Sequence, residues 1–141
     1  MQNSIYPCLW FDGQAQEAAK LYCSIFKNSK ITADNQMVVA FELNGNKFMG
    51  LNAGPEFKFN EAISFVVDCE TQEEIDFYWE RLTADGGQEG QCGWLKDKFG
   101  VSWQIVPTIL PKLLSDPAKS QSVMQAYMKM KKFDIEALKN A

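Results

Sequence analysis

The sequence predicts an α+β protein: two copies of a strand–helix–strands unit build a cupped mixed sheet with outer helices, followed by a helical C-terminal extension. Three observations carry that prediction. Apolar spacing runs strand-like, then helical, then strand-like again, and the whole order repeats. The two copies overlay at one shift of 56 residues, which sets Asp12 on Asp68, Gln16-Glu17 on Gln72-Glu73 and Tyr22 on Tyr78. Residues 108–141 match neither copy and read as helices. A single unit leaves one sheet face uncovered, so two units around a shared cavity are the expected solution.

Module one (about 4–54) opens with "IYPCLWF" at 5–11, an apolar and aromatic run closed by Asp12-Gly13, hence a strand. "QAQEAAKLYCSIF" at 14–26 spaces Ala15, Ala18, Ala19, Tyr22 and Phe26 along one helix face, and "KNSK" stops it. "MVVAFEL" (37–43) and "KFMGLNA" (47–53) flank "NGN", a hairpin turn. Module two (about 60–107) restarts with the strand "AISFVVDC" at 62–69. The amphipathic helix "TQEEIDFYWERLTA" at 71–84 follows, with Ile75, Tyr78, Trp79 and Leu82 on its apolar side. "GQEGQCGWLKD" and "GVSWQIVP" supply the last strands. In the C-terminal helices (about 108–141), Asp116-Pro117 reads as a helix start and Asp134 as the cap of a last short helix, with Phe133 and Leu138 as its staple. Val123, Met124, Tyr127, Met128 and Met130 line one side, a stripe that packs on its own domain or on a partner subunit.

Composition bounds the function. The 141 residues, 46% of them hydrophobic, suffice for one domain spanning 1–141. Fourteen basic against 18 acidic residues give a net charge of −4, and only "KMKK" at 129–132 clusters basic groups, so nucleic acid is not an expected partner. No apolar run approaches the length of a membrane span, and "MQNSIYPCLW" lacks the pattern of a leader, so a cytoplasmic location is expected. Cys8, Cys23, Cys69 and Cys92 are widely spaced and read as reduced thiols. There is no histidine, which rules out serine–histidine and cysteine–histidine catalysis and any His-based metal site.

Three segments carry a family resemblance: "FDGQAQEAAKLYCSIF" at 11–26, "FNEAISFVVDC" at 59–69 and "CGWLKDKFGVSWQIVP" at 92–107. With the tail "KLLSDP…VMQAYMKMKKFDIEAL", they make the chain resemble the PhnB-like branch of the vicinal oxygen chelate superfamily, which includes glyoxalase, bleomycin-resistance protein and extradiol dioxygenase. The resemblance implies paired βαβββ modules, a homodimer and, as a label common in this branch, demethylubiquinone methyltransferase. A methyltransferase usually shows a Gly-rich turn between a strand and a helix. The nearest candidate, "DGGQEGQCG" at 85–93, follows a helix instead and reads as its stop.

The resemblance also implies where metal-dependent relatives place four ligands. Those positions fall on Pro7 or Tyr6, on Leu51 or Asn52, on Ala62 or Ile63, and on Gln104. None is a histidine or a carboxylate, and a neutral amide is a weak ligand. Neither a metal nor another cofactor is expected. Strand alternation then proposes a cavity lining. If Gln104 faces inward, Ser102 and Val106 do too, while Val101, Trp103 and Ile105 pack on a helix; with Ile63, Phe65 and Val67 under the helix, Ala62, Ser64 and Val66 face the cavity. Asn52, Gly50 and Phe48 share one face, as do Pro7, Leu9 and Phe11. Trp94 joins the candidates as an aromatic platform, although Trp10, Trp94 and Trp103 more commonly serve as packing.

An apolar cavity with neutral hydrogen-bonding groups suits a small, largely uncharged organic ligand. Gln104, Ser64 and Ser102 can equally satisfy neighbouring strands in a filled core. Two other classes stay open. One is an enzyme, either a methyltransferase or a metal-free isomerase or lyase using Glu42, Glu61 or Cys92. The other is a dimeric interaction module that works through its tail.

Overall fold

In the computed structural model, which describes residues 3–141, the first sheet contains β1 (Cys8–Phe11), β2 (Lys30–Asp34), β3 (Val38–Leu43) and β4 (Asn46–Asn52), with α1 (Ala15–Ile25) between β1 and β2. The first two residues of the expected domain 1–141, and of the stretch read for a leader, lie outside the described residues. Strand order is β1-β4-β3-β2, with β1 parallel to β4 and the other pairs antiparallel. Along β3, Val39, Phe41 and Leu43 are buried while Val38, Ala40 and Glu42 are half-buried, the alternation of a strand with one face under a helix. Ala15, Ala18, Ala19, Tyr22 and Ile25 form the buried stripe of α1. The alanines let helix and sheet approach closely: a Cβ on Gly50 would stand 3.1 Å from both Ala15 Cβ and Val39 Cγ1. Asn44 and Gly45 both take positive φ, 50° and 79°, which makes the β3–β4 connection the two-residue turn expected of "NGN".

The second sheet repeats the plan. It contains β5 (Phe65–Cys69), β6 (Gln88–Glu89), β7 (Trp94–Lys96) and β8 (Ser102–Pro107), in the order β5-β8-β7-β6, with α2 (Gln72–Thr83) after β5. The α+β expectation holds, and its duplicated connectivity with it. Contacts divide the chain into one unit ending at Phe59 and another from Asn60 to Ala141. The single overlay shift does not survive the last strand. Leu9 pairs with Gly50, but its counterpart Phe65 pairs with Trp103, so the shift is 56 at the first strand and 53 at the last. The second hairpin turns back sooner, through the loop 97–101 rather than the tight turn at 44–45.

Helix α2 starts at a full capping box. Glu74 N donates to Thr71 Oγ1 at 3.2 Å and Thr71 N donates to Glu74 Oε1 at 3.1 Å. Thr71→Ala should therefore cost about 1 kcal/mol in urea unfolding, and Thr71→Ser close to nothing.

The tail folds as α3 (Ile109–Leu114), α4 (Ser120–Tyr127) and α5 (Ile135–Lys139), within the second unit. Asp116 opens the turn before α4 rather than capping the helix itself: its side chain accepts from Ala118 N at 3.0 Å, and the helix begins at Ser120. Asp134 does cap α5, accepting from Ala137 N at 3.0 Å. The methionine stripe packs only in part, since Val123 is buried while Met124 and Met128 are exposed. The tail is held by main-chain bonds from Cys92 N to Met130 O and from Gly93 N to Lys131 O, both 2.8 Å. Gln72 adds a two-sided clamp, donating to Phe133 O and accepting from Ile135 N, both at 2.9 Å. Lys132 pairs with Asp76 at 2.7 Å, which holds that carboxyl below its usual range. Among the described residues no helix is long and apolar enough to cross a membrane.

Candidate functional site

In the first unit the strand phase runs opposite to the expectation. Leu9 and Phe11 are 7% and 2% exposed, and the Cβ position of Gly50, partner of Leu9, lies 3.5 Å from Phe11 Cε2 and against Ala15 of α1. This face therefore lies under the helix. Pro7, half-buried ahead of β1 and in phase with Leu9, accepts from Met49 N through its carbonyl at 3.0 Å. Asn52 is also on the α1 side. Its Oδ1 accepts from Ala15 N, and its Nδ2 donates to Gln16 Oε1 and Gln36 O, all at 2.8 Å. It satisfies an open amide of the helix N-terminus. The opposite face carries Cys8, Trp10, Met49 and Leu51, and Trp10 Nε1 donates to Gly54 O at 2.9 Å.

In the second unit the phase is as expected for β8. Trp103 and Ile105 are buried on the α2 side, and Gln104 and Val106 are half-buried on the other. Register assembles two rows on the face turned from α2. Gln104 is paired with Val66 on β5 and Trp94 on β7. One step back, Ser102 is paired with Lys96, and Ser64 precedes Phe65 as Ser102 precedes Trp103, which puts Ser64 level with them. Gln104 Nε2 donates to Ser64 Oγ at 2.9 Å. Ser102 is 1% exposed, and its Oγ has no hydrogen-bond partner among the described residues. Lys96 Nζ pairs with Glu61 Oε1 at 2.9 Å, and the ammonium holds that carboxyl below its ordinary range. Of the expected residues, Gln104, Ser102, Ser64 and Trp94 thus share one face of the second sheet, whereas Leu9, Phe11 and Asn52 lie on the α1 side of the first. Ile63, expected under the helix, lies ahead of β5 and is 72% exposed.

Lys96 was missed by the sequence reading, although it stands in phase with Trp94; a lone charge at a strand end reads as solvated. Asp97 anchors the loop 97–101. Buried at 3% exposure, its carboxylate accepts from Phe99 N, Val101 N and Trp103 Nε1 at 2.9, 3.1 and 2.9 Å. Burial, with Glu74 and Asp68 nearby, pushes the Cys69 thiol up to about 12, so it is a packing group rather than a nucleophile. A separate shallow cavity of about 820 Å³ lies along the seam between α2 and the tail, beside Gln72, Asp76 and Lys132.

The donor chemistry for a metal is poor. Trp10 pairs with Leu51 as Val66 pairs with Gln104, so the two register-equivalent positions carry a leucine and a neutral amide. Neither is an effective ligand for a divalent ion. Among the described residues no group of three or more His, Cys, Asp or Glu is placed to hold one.

Comparison with known proteins agrees with this architecture. Residues 3–106 match the family model described as 3-demethylubiquinone-9 3-methyltransferase. A putative 3-demethylubiquinone-9 3-methyltransferase, PhnB protein, from Bacillus cereus is 33% identical; the alignment covers 75% of this chain and all of that one, with a TM-score of 0.68. The fold alone is shared with a glyoxalase/bleomycin resistance protein from Albidiferax ferrireducens T118, at 13% identity, coverage of 74% and 97%, and a TM-score of 0.55. It is shared likewise with the fosfomycin resistance protein FosX from Listeria monocytogenes, solved with Mn(II) and sulfate, at 17% identity, coverage of 80% and 96%, and a TM-score of 0.58. Among curated proteins none matches this sequence.

Proposed function

Because the chain belongs to the 3-demethylubiquinone-9 3-methyltransferase family, a PhnB-like branch of the vicinal oxygen chelate superfamily, we propose that it binds a small organic molecule without a metal, on the Ser64–Gln104–Trp94 face of its second sheet. The observation that carries this reading is the Ser102 hydroxyl, buried and without a partner among the described residues. Leaving such a group unsatisfied costs about 1–3 kcal/mol. A ligand atom that hydrogen-bonds to it recovers that cost and explains why a serine stands there. Gln104 is held by Ser64 through its Nε2, so its carbonyl is aimed by a fixed amide. Trp94 beside it offers an aromatic surface. A homodimer belongs to the same reading, supported by family likeness, while a cytoplasmic location rests on the sequence patterning alone.

Ser102→Ala tests it with effects of opposite sign. The variant should gain about 1 kcal/mol in thermal unfolding, because the orphaned hydroxyl is gone. It should also lose the stabilisation given by whichever compound of a metabolite library raises the melting temperature of the parent protein. A variant less stable than the parent would mean that the hydroxyl already has its partner, and the reading fails. The family description favours a second reading, methyl transfer. Calorimetric titration with S-adenosylmethionine decides it, since a methyltransferase has to bind its donor.

A further inference from the structure

The two rows on the face turned from α2 differ in chemistry. Val66, Gln104 and Trp94 offer apolar or neutral groups. Ser64 just ahead of β5, Ser102 on β8 and Lys96 on β7 put two hydroxyls and an ammonium level with one another. Ser64 accepts from Gln104, which leaves its own proton to donate. The Ser102 hydroxyl is buried and has no hydrogen-bond partner among the described residues. Antiparallel partners on one face stand about 5 Å apart at Cβ, so the stem of Lys96 rises beside that hydroxyl. The only charge facing Lys96 in the described contacts is the carboxylate of Glu61, on the segment ahead of β5. That ion pair is exposed on the Glu61 side, 63% against 36% for Lys96, so solvent screens it and the pair is weak. Exchanging Glu61 for another carboxylate therefore costs little.

Resting on the small-molecule reading above, we propose that the ligand carries a carboxylate, which replaces Glu61 on Lys96 and accepts from Ser102, with its apolar body against Trp94. Glu61 is then an internal stand-in for the ligand's acid group. With the pair intact the lining is neutral overall; once Glu61 is displaced, the ammonium selects for an anion.

Matched acid and amide probes test this by protein NMR: phenylacetate against phenylacetamide, and butyrate against butyramide. The acids should bind at least about tenfold tighter, shifting the resonances of Lys96, Ser102 and Gln104. Lys96→Met should lower acid binding to the level of the amide while leaving the amide unchanged. Glu61→Gln should strengthen acid binding severalfold, because it removes the competitor. Equal binding of acid and amide on this face overturns the carboxylate assignment but leaves the pocket standing. Weaker acid binding in Glu61→Gln overturns it too, since Glu61 would then be orienting Lys96. If none of the four probes shifts this face, the small-molecule reading falls and the carboxylate falls with it.

Discussion

Asp97→Ala should destabilise the protein by about 3–5 kcal/mol, a large share of the roughly 5–15 kcal/mol available to a domain of this size. The carboxylate takes two main-chain amides, Phe99 N and Val101 N, on one oxygen and the Trp103 indole N–H on the other. Hydrogen bonds to a charged group contribute about 1.5–3 kcal/mol each, and the donors left behind sit where water reaches them poorly. The loop 97–101 also closes the β7–β8 hairpin and so fixes the pairing of Lys96 with Ser102. Losing Asp97 should loosen the candidate site together with the fold. Asp97→Asn keeps one acceptor oxygen but turns an amide N–H₂ toward the indole, and about half the loss is expected. Denaturant unfolding followed by circular dichroism measures both variants. Trp103→Phe completes a double-mutant cycle that isolates the indole bond. A loss below about 1 kcal/mol for Asp97→Ala would show that the carboxylate does not hold the loop.

Gly93→Ala should cost about 2–5 kcal/mol, from two sources. The residue has φ +82°, where a side chain costs about 1–2 kcal/mol. Its Cβ would also clash with Phe133 Cε2 and stand 2.9 Å from the Ile105 carbonyl oxygen, overpacking worth about 1–3 kcal/mol. The ring belongs to the tail, which bonds to the same residue through Lys131 O. The added methyl should therefore push the tail off the second unit. Limited proteolysis should cut ahead of α5 sooner in the variant than in the parent. Combining it with Phe133→Ala should recover part of the clash but not the backbone strain or the contact with Ile105. If the two substitutions are simply additive, the ring does not rest on Gly93 and the account of tail docking is wrong.

How legible each strand was depends on contrast within it. In β8 the polar Ser102 and Gln104 alternate with Trp103 and Ile105, so the helix side and the free side could be assigned from residue types alone. In β1 the run Cys8, Leu9, Trp10, Phe11 is apolar on both faces, and alternation has no phase to read. The wrong phase followed, carrying Leu9 and Phe11 to the wrong side. Asn52 misled for a different reason: a polar residue near a strand end suggests a ligand, but an open helix amide had the prior claim on it. β2 gave no pattern at all, since "KITAD" is largely exposed and its pairing is broken by a register shift between Ile31 and Ala33.

The two glutamines that overlay in the duplication show the same division of labour. Gln16 reaches Asp34 and Gln36 of its own module, bonding Oδ1 and the carbonyl at 3.0 and 2.9 Å. Gln72, at the matching place on α2, reaches the tail at Phe133 and Ile135. Residue type and position are repeated; the partner is not. By itself the sequence determined the duplicated order of elements, the buried stripes of both helices apart from Phe26 and Tyr78, which are only half-buried, and Ile25, which it missed, the 44–45 turn and the phase of β8. These depend on neighbours within a few residues, and local periodicity records them directly. Only the tertiary structure decided which face of β1 and β4 meets α1, that Glu61 closes on Lys96, that Ser102 finds no partner among the described residues, and where the tail docks. Those outcomes depend on which distant atoms arrive at the same place, and side-chain chemistry read along a chain does not specify its partner across space.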